Sequence, residues 1–162
     1  MFSTEAIQSR VPKPLLLKWP NDLMLEGRKV GGVLCEARWQ GDSLGWVAVG
    51  IGLNVCNRIP AELSSVAISI RELLPGVTVE EISDPILAAL RQLDLGTGRL
   101  TPAELSRFAQ RDWLRGRTIR EPVAGTVIGV GEGGALLVRT AAGTEIALRS
   151  GTVEVATVSH SR

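Results

Sequence analysis

Lys29 to Val55, KVGGVLCEARWQGDSLGWVAVGIGLNV, is the stretch that decides the fold. Its apolar residues fall in two long runs, Lys29 to Trp39 and Leu44 to Val55, and Gln40-Gly41-Asp42-Ser43 between them has the composition of a hairpin turn. Upstream, Leu15-Leu16-Leu17 is a short buried run, and Glu26-Gly27 reads as a turn between Asp22 to Leu25 and the strand that carries Lys29. Neighbouring strands joined by such short turns make a sheet.

Beyond Asn57 the apolar period lengthens. Val66, Ile70, Leu73 and Leu74 recur at the three-to-four spacing of one helix face. Asp84-Pro85 can open a second helix, with Pro at its first position and Ile86, Leu87, Leu90 and Leu93 as its buried stripe. Thr101-Pro102-Ala103-Glu104 is a capping box, followed by the apolar face Leu105, Phe108, Ala109 and Trp113. From Arg117 short strands return: Thr118 to Val123, Gly125 to Val130, Ala135 to Arg139, Glu145 to Leu148 and Thr152 to Val155. Separated by glycine-rich turns, they suggest a small barrel-like meander. The expected class is α+β, with domains at 1–113 and 114–162.

The composition is that of a folded globular chain: 44% apolar and 22% charged among 162 residues. No apolar run approaches the roughly 18 residues of a membrane helix, and Met1 to Arg10 lacks the pattern of a secretion signal, so a cytoplasmic location is expected. With 18 basic against 17 acidic residues and no basic stripe, nucleic acid is not an expected partner. Cys35 and Cys56 lie in apolar strand-like surroundings without metal-type spacing and read as reduced core or near-core residues. The sole histidine, His160, stands two residues from the end, where a frayed terminus cannot hold a catalytic base in register.

Three short stretches could carry chemistry. Lys18-Trp19-Pro20-Asn21-Asp22 sets a cation and two carbonyl-bearing side chains where a strand enters a turn; the plainer reading is an Asn-Asp turn that bonds its own backbone. Lys29 is either a solvated edge lysine or, on the inner face of a concave sheet, a fixed cation for an anion. Period two puts it on the side of Val33, and Gly31-Gly32 would let a ligand approach the backbone. Gly50-Ile51-Gly52-Leu53-Asn54 lacks the spacing of a phosphate loop. It suits a flat ligand lying along a strand, with Asn54 as donor and acceptor, or equally a glycine-tolerant strand with Asn54 opening a turn.

In this order and spacing, K-W-P-N-D-L, then K-x-G-G-V-L, then G-I-G-L-N-V, closed by Ala67-Ile68-Ser69-Ile70, the chain resembles the central signature of biotin protein ligases. That resemblance implies a partial class II synthetase-like mixed sheet with helices, followed by a small SH3-like β-barrel. It also implies ATP-dependent activation of biotin to biotinyl-adenylate and transfer of biotin to a lysine of the biotin carboxyl carrier domain of a carboxylase. By the same resemblance Lys29 is the cation at the reacting phosphate and Asp22 the group that orients or deprotonates the acceptor lysine. Asn21 stands near the ATP phosphates and Mg2+, Asn54 is a nucleotide contact, and Gly50 and Gly52 are strand glycines beside biotin and adenylate. Trp19 and Pro20 are scaffold.

The family's other signature, an arginine- and glycine-rich loop that closes over biotin, lies upstream of these motifs and has no counterpart in residues 1–162. The amino-terminal DNA-binding domain of the repressor-type members is also missing. The resemblance therefore implies part of a catalytic domain. Three arrangements are compatible with it: an enzyme of low or altered activity, a non-catalytic binding or dimerisation module, or one half of a split ligase. Open sheet edges are compatible with a homodimer.

Overall fold

Short turns between the amino-terminal strands dictate neighbours in space. β1 (Leu15–Lys18), β2 (Asp22–Leu25), β3 (Arg28–Gln40) and β4 (Ser43–Leu53) form one sheet in the order β1-β2-β3-β4. The computed structural model describes residues 2–92 and 98–156, so Leu93 and His160 lie outside the described residues. The hairpin expected within Lys29 to Val55 is present. β3 and β4 pair antiparallel from Gly31↔Leu53 to Gln40↔Ser43, and Gly41 takes the left-handed conformation at the turn (φ 60). At the β2–β3 turn Glu26 and Gly27 both have positive φ, 52 and 73, which matches the twist of the flanking strands although glutamate is a strained choice there.

The described residues divide into two compact units, one holding 2–16 and 21–92, the other 17–20 and 98–156. In the first, α1 (Phe2–Ile7) packs against α2 (Val79–Leu90), and Leu15, Leu23, Leu25, Val30, Ile68, Ile70 and Ile82 are buried. α2 starts before Asp84-Pro85, correcting the expected helix start. Thr78 accepts from the Glu81 N–H at 3.2 Å and the Glu81 carboxylate accepts from the Thr78 N–H at 2.9 Å, so this earlier box caps the helix and Pro85 lies inside it. Ile82 joins Ile86 in the buried stripe, while Leu87 is exposed.

The helix expected through Val66, Ile70, Leu73 and Leu74 is not formed. That stretch holds a single 3-10 turn, Ile70–Glu72; before it Val66 ends a turn and Ala67 makes an isolated bridge. The backbone of β3 competes successfully for its hydrogen bonds: the Lys29 N–H donates to Val66 O at 2.8 Å and Lys29 O accepts from the Ile68 N–H at 3.0 Å. Pro75-Gly76 (φ 89 at Gly76) then prevents continuation.

The second unit contains α3 (Pro102–Ala109), capped by Thr101 and Glu104 as expected, and five short strands. Trp113 lies past the end of α3 rather than on its face: the Leu114 N–H donates to Asp112 Oδ1 at 2.9 Å, and the Trp113 N–H donates to Leu17 O at 2.8 Å. β5 (Thr118–Glu121), β6 (Gly125–Val130), β7 (Leu136–Arg139), β8 (Glu145–Leu148) and β9 (Glu154–Val155) form an antiparallel sheet in the order β8-β7-β6-β5-β9. Leu114, Ile119, Val127, Leu136, Val138 and Val153 close its core around Trp19, whose indole N–H donates to Gly134 O at 2.9 Å.

The two cysteines part ways. Cys56 is half-buried and donates to Val77 O at 3.0 Å, as a near-core thiol would. Cys35 is exposed, correcting its reading as a core residue: it lies on the outer hairpin, where among the described residues nothing covers the side chain. No helix among the described residues is long and apolar enough to cross a membrane.

Candidate functional site

The base of the β3–β4 hairpin is where the singled-out residues meet. An open depression of about 550 Å³ is lined by Asn21, Asp22, Lys29, Gly32, Val33, Leu34, Gly50, Ile51 and Gly52, a size that suits a small-molecule ligand. Two features of the β2–β3 pair aim its polar groups. The Val33 N–H donates to Asn21 O at 2.8 Å, fixing the entry to β2. A bulge then shifts the register from Leu23↔Gly31 to Met24↔Lys29, leaving Val30 as the extra residue of β3.

The bulge changes what strict period two would give. Lys29 is carried onto the face of Gly32 and of its cross-strand partner Asp22, and Lys29 Nζ pairs with Asp22 Oδ1 at 2.5 Å. Gly32 leaves the space for this: a Cβ there would stand 3.3 Å from Asn21 O, 3.7 Å from Asp22 Oδ1 and 3.9 Å from Lys29 Cε. The Lys29 side chain is 51% exposed and that of Asp22 23%. An ion pair this open contributes at most about 1 kcal/mol to stability, so it is better understood as two opposite charges held ready at a surface.

Gly50 and Gly52 form open floor. Among the described residues, a Cβ on Gly52 would meet nothing within 4 Å, and one on Gly50 only Leu34 O at 3.8 Å. Gly31 is different from the expectation that paired it with Gly32 as a place for ligand approach. A Cβ there would meet Gly52 O at 2.2 Å and Leu53 Cδ2 at 2.6 Å, so this glycine serves the close contact of β3 with β4.

Five of the six site residues read from the sequence are thus brought together. Asn54 is not among the residues lining the depression. Its N–H donates to Val30 O at 2.8 Å and its Oδ1 accepts from Asn57 Nδ2 at 3.1 Å. Asn57 in turn lines a second, polar depression with Arg58, Ile59, Ser64, Ser69, Arg71 and Glu72. Sequence reading did not assign these residues to the site; the polar pair Asn57-Arg58, three and four positions after Asn54, was the available signal. Among the described residues no group of three or more His, Cys, Asp or Glu could hold a metal ion.

This arrangement can bind an anion at Lys29, hold an ammonium at Asp22 and accept a flat group over Gly50 and Gly52. Known proteins are similar to the chain across these residues. The model of the biotin/lipoate A/B protein ligase family matches residues 10–54. The biotin–[acetyl-CoA-carboxylase] ligase of Paracoccus denitrificans is 33% identical over 143 residues, 82% of this chain and 60% of the relative. The bifunctional ligase/repressor BirA of Bacillus subtilis (strain 168) is 30% identical over 135 residues, 76% of this chain and 41% of the relative.

Among solved structures, the apo biotin protein ligase from Aquifex aeolicus matches with a TM-score of 0.76 at 25% identity, over 95% of this chain and 71% of that one. The biotin protein ligase from Aquifex aeolicus in complex with biotin and ATP matches with a TM-score of 0.70 at 25% identity, over 96% and 68%. The chain spans 41% and 60% of the lengths of the two curated relatives. Motif order, fold and relatives agree: over most of its length the chain is similar to biotin protein ligases.

Proposed function

We propose that this chain carries the nucleotide and acceptor side of a biotin protein ligase, which joins biotin to ATP as biotinyl-adenylate with release of pyrophosphate and then transfers biotin to a lysine of a biotin carboxyl carrier domain. The observation that carries the reading is the Lys29–Asp22 pair set over Gly32 beside the open glycines of β4. In the first step a carboxylate oxygen of biotin attacks the α-phosphorus as the bond to pyrophosphate breaks. Both reactants are anions, so a fixed cation at the reacting oxygens is needed, and one such preorganised donor is worth about 3 kcal/mol. Lys29 fills that role, with the Asn21 amide beside it.

In the second step the acceptor amine attacks the carbonyl of the mixed anhydride, and AMP leaves. That amine arrives as an ammonium and must lose a proton. Asp22 already holds one ammonium, that of Lys29, which supports it as the carboxylate that orients a second and takes up its proton. Asn54 and the polar depression beyond it suit the rest of the nucleotide. Magnesium fits only alongside phosphate oxygens. Asp22 and Asn21 supply one carboxylate and one amide, fewer than the six ligands the ion prefers, and its chemistry there would be charge neutralisation.

The same reading divides the chain into a partial catalytic domain, 1–113, and an SH3-like barrel, 114–162, and with ATP and a carboxylase carrier as substrates it places the chain in the cytoplasm. One observation favours a second reading, in which another polypeptide, an amino-terminal ligase half or a second copy, completes the protein: Leu34, Trp39 and Trp46 stand 58%, 60% and 51% exposed on the hairpin. Biotin-dependent exchange of pyrophosphate into ATP tests both. Exchange by the chain alone that vanishes in Lys29→Ala supports the first reading. Exchange only after adding an amino-terminal ligase fragment supports the second, and none under either condition, from folded protein, removes both.

A further inference from the structure

Lys29 owes its position to more than β2. In the parallel bridge Lys29↔Ala67, the N–H and C=O of Lys29 are both taken by the segment at Val66 and Ile68, at 2.8 and 3.0 Å. Whatever holds that segment therefore holds the lysine's peptide on the side away from Met24.

One guanidinium reaches both ends of it. Arg28, the residue before Lys29, donates from Nη1 to Ser64 O at 3.1 Å and to Glu72 Oε2 at 3.2 Å. The other oxygen of Glu72, Oε1, accepts from the Ser69 N–H at 3.0 Å, completing a path from Ser64 through Arg28 and Glu72 back to the segment. Ser69 is 1% exposed, so without Glu72 its N–H would lose its acceptor in a buried place. The Arg28 and Glu72 side chains are themselves partly open, 27% and 38% exposed. A pair with that exposure adds little to overall stability, which leaves geometry as its stronger effect.

We infer that Arg28 and Glu72 are positioning residues for Lys29: they clamp residues 64–72 along β3, and through the bonds of Val66 and Ile68 they fix the backbone from which Lys29 reaches Asp22. This rests on the reading of Lys29 as the cation of the site, but it makes a structural statement that stands or falls separately. A segment free to drift would let the Lys29 peptide rotate about the bulge at Val30, and the ammonium would leave Asp22.

The chain has three lysines, Lys13, Lys18 and Lys29, so carbon-13 labelling of lysine in the full chain gives few Cε signals. The ion pair is read as the displacement of the Lys29 signal caused by Asp22→Asn. In Arg28→Gln and, independently, in Glu72→Gln, which keeps an acceptor for the Ser69 N–H, that displacement falls to less than half its wild-type size. Ile82→Val, which lowers stability from α2, leaves it intact. An undiminished displacement in both clamp variants with native amide spectra, or an equal fall in Ile82→Val, overturns the inference. Pyrophosphate exchange is measured alongside: its absence in the wild type both with and without an added amino-terminal ligase fragment tells against the ligase reading, while the Lys29 signal still decides for or against the clamp.

Discussion

The two sheets use the same kind of sequence to opposite ends. In the carboxyl-terminal unit, five strands of two to six residues bury Ile119, Val127, Leu136 and Val138 to 1% exposure or less, around Trp19. In the amino-terminal unit, the strands of 13 and 11 residues that carry the site leave every residue from 34 to 50 exposed. Both are rich in apolar, β-branched residues. The difference lies in what covers the face, and the candidate site sits where cover begins, at the hairpin base bonded to residues 66–71 and 54–55.

If that contrast is right, truncating the small sheet's core is the most damaging change. Leu136→Ala costs about 2 to 5 kcal/mol by urea unfolding, whereas Leu34→Ala on the open hairpin stays within about 0.5 kcal/mol. Equal costs would break the comparison, by showing the hairpin covered in solution. Within the hairpin base, Gly31→Ala forces its Cβ onto Gly52 O and costs about 1 to 3 kcal/mol, while Gly52→Ala, facing open space, is nearly silent in the same unfolding experiment. In the small unit, Trp19→Phe removes the pyrrole ring from the core together with its bond to Gly134 O, lowering stability by about 1 to 3 kcal/mol.

The smallest effect is a pH dependence. Burial raises the Asp112 carboxyl above its ordinary value, against the lowering pull of the Leu114 and Arg115 N–H groups and the charge of Arg115, and its Oδ2 is buried without a hydrogen-bond partner among the described residues. The folded chain therefore keeps this proton where the unfolded chain has released it. The resulting stability is fully present below the ordinary aspartate value of about 3.9 and is lost as pH rises through the raised folded value. Glu104 works the other way: bonds from the Thr101 backbone and side chain lower it, so its contribution is present above the ordinary value of 4.5 and lost as pH falls through the lowered one. Melting temperatures taken across acidic pH should show Asp112→Asn losing ground to wild type on acidification, and Glu104→Gln gaining on it.

Local signals were legible in the sequence and long-range competition was not. Thr101-Pro102-Ala103-Glu104 gave α3 because both partners of its cap lie within four residues. Thr78-Val79-Glu80-Glu81 is a box of the same kind, and it overruled the more conspicuous Asp84-Pro85. Residues 66–74 carried a helical period, yet Lys29, some 40 positions earlier, claimed their hydrogen bonds. Site residues Asn21, Asp22, Lys29, Gly50 and Gly52 could be grouped because motif order survives folding. Their mutual geometry could not, because it depends on a bulge at Val30 that no local pattern announces. The exposure of Cys35 was equally out of reach, since alternation says which residues share a face and nothing about what lies against it.

The central claim, that this chain carries the nucleotide side of a ligase site, is tested most directly by calorimetric titration with magnesium and ATP in the absence of biotin. The account predicts binding by the wild type and a loss of about 10- to 100-fold in Lys29→Ala, the range expected when a charge-assisted bond to phosphate is removed. Equal affinity in the two proteins, or no binding by a well-folded wild type, would contradict it.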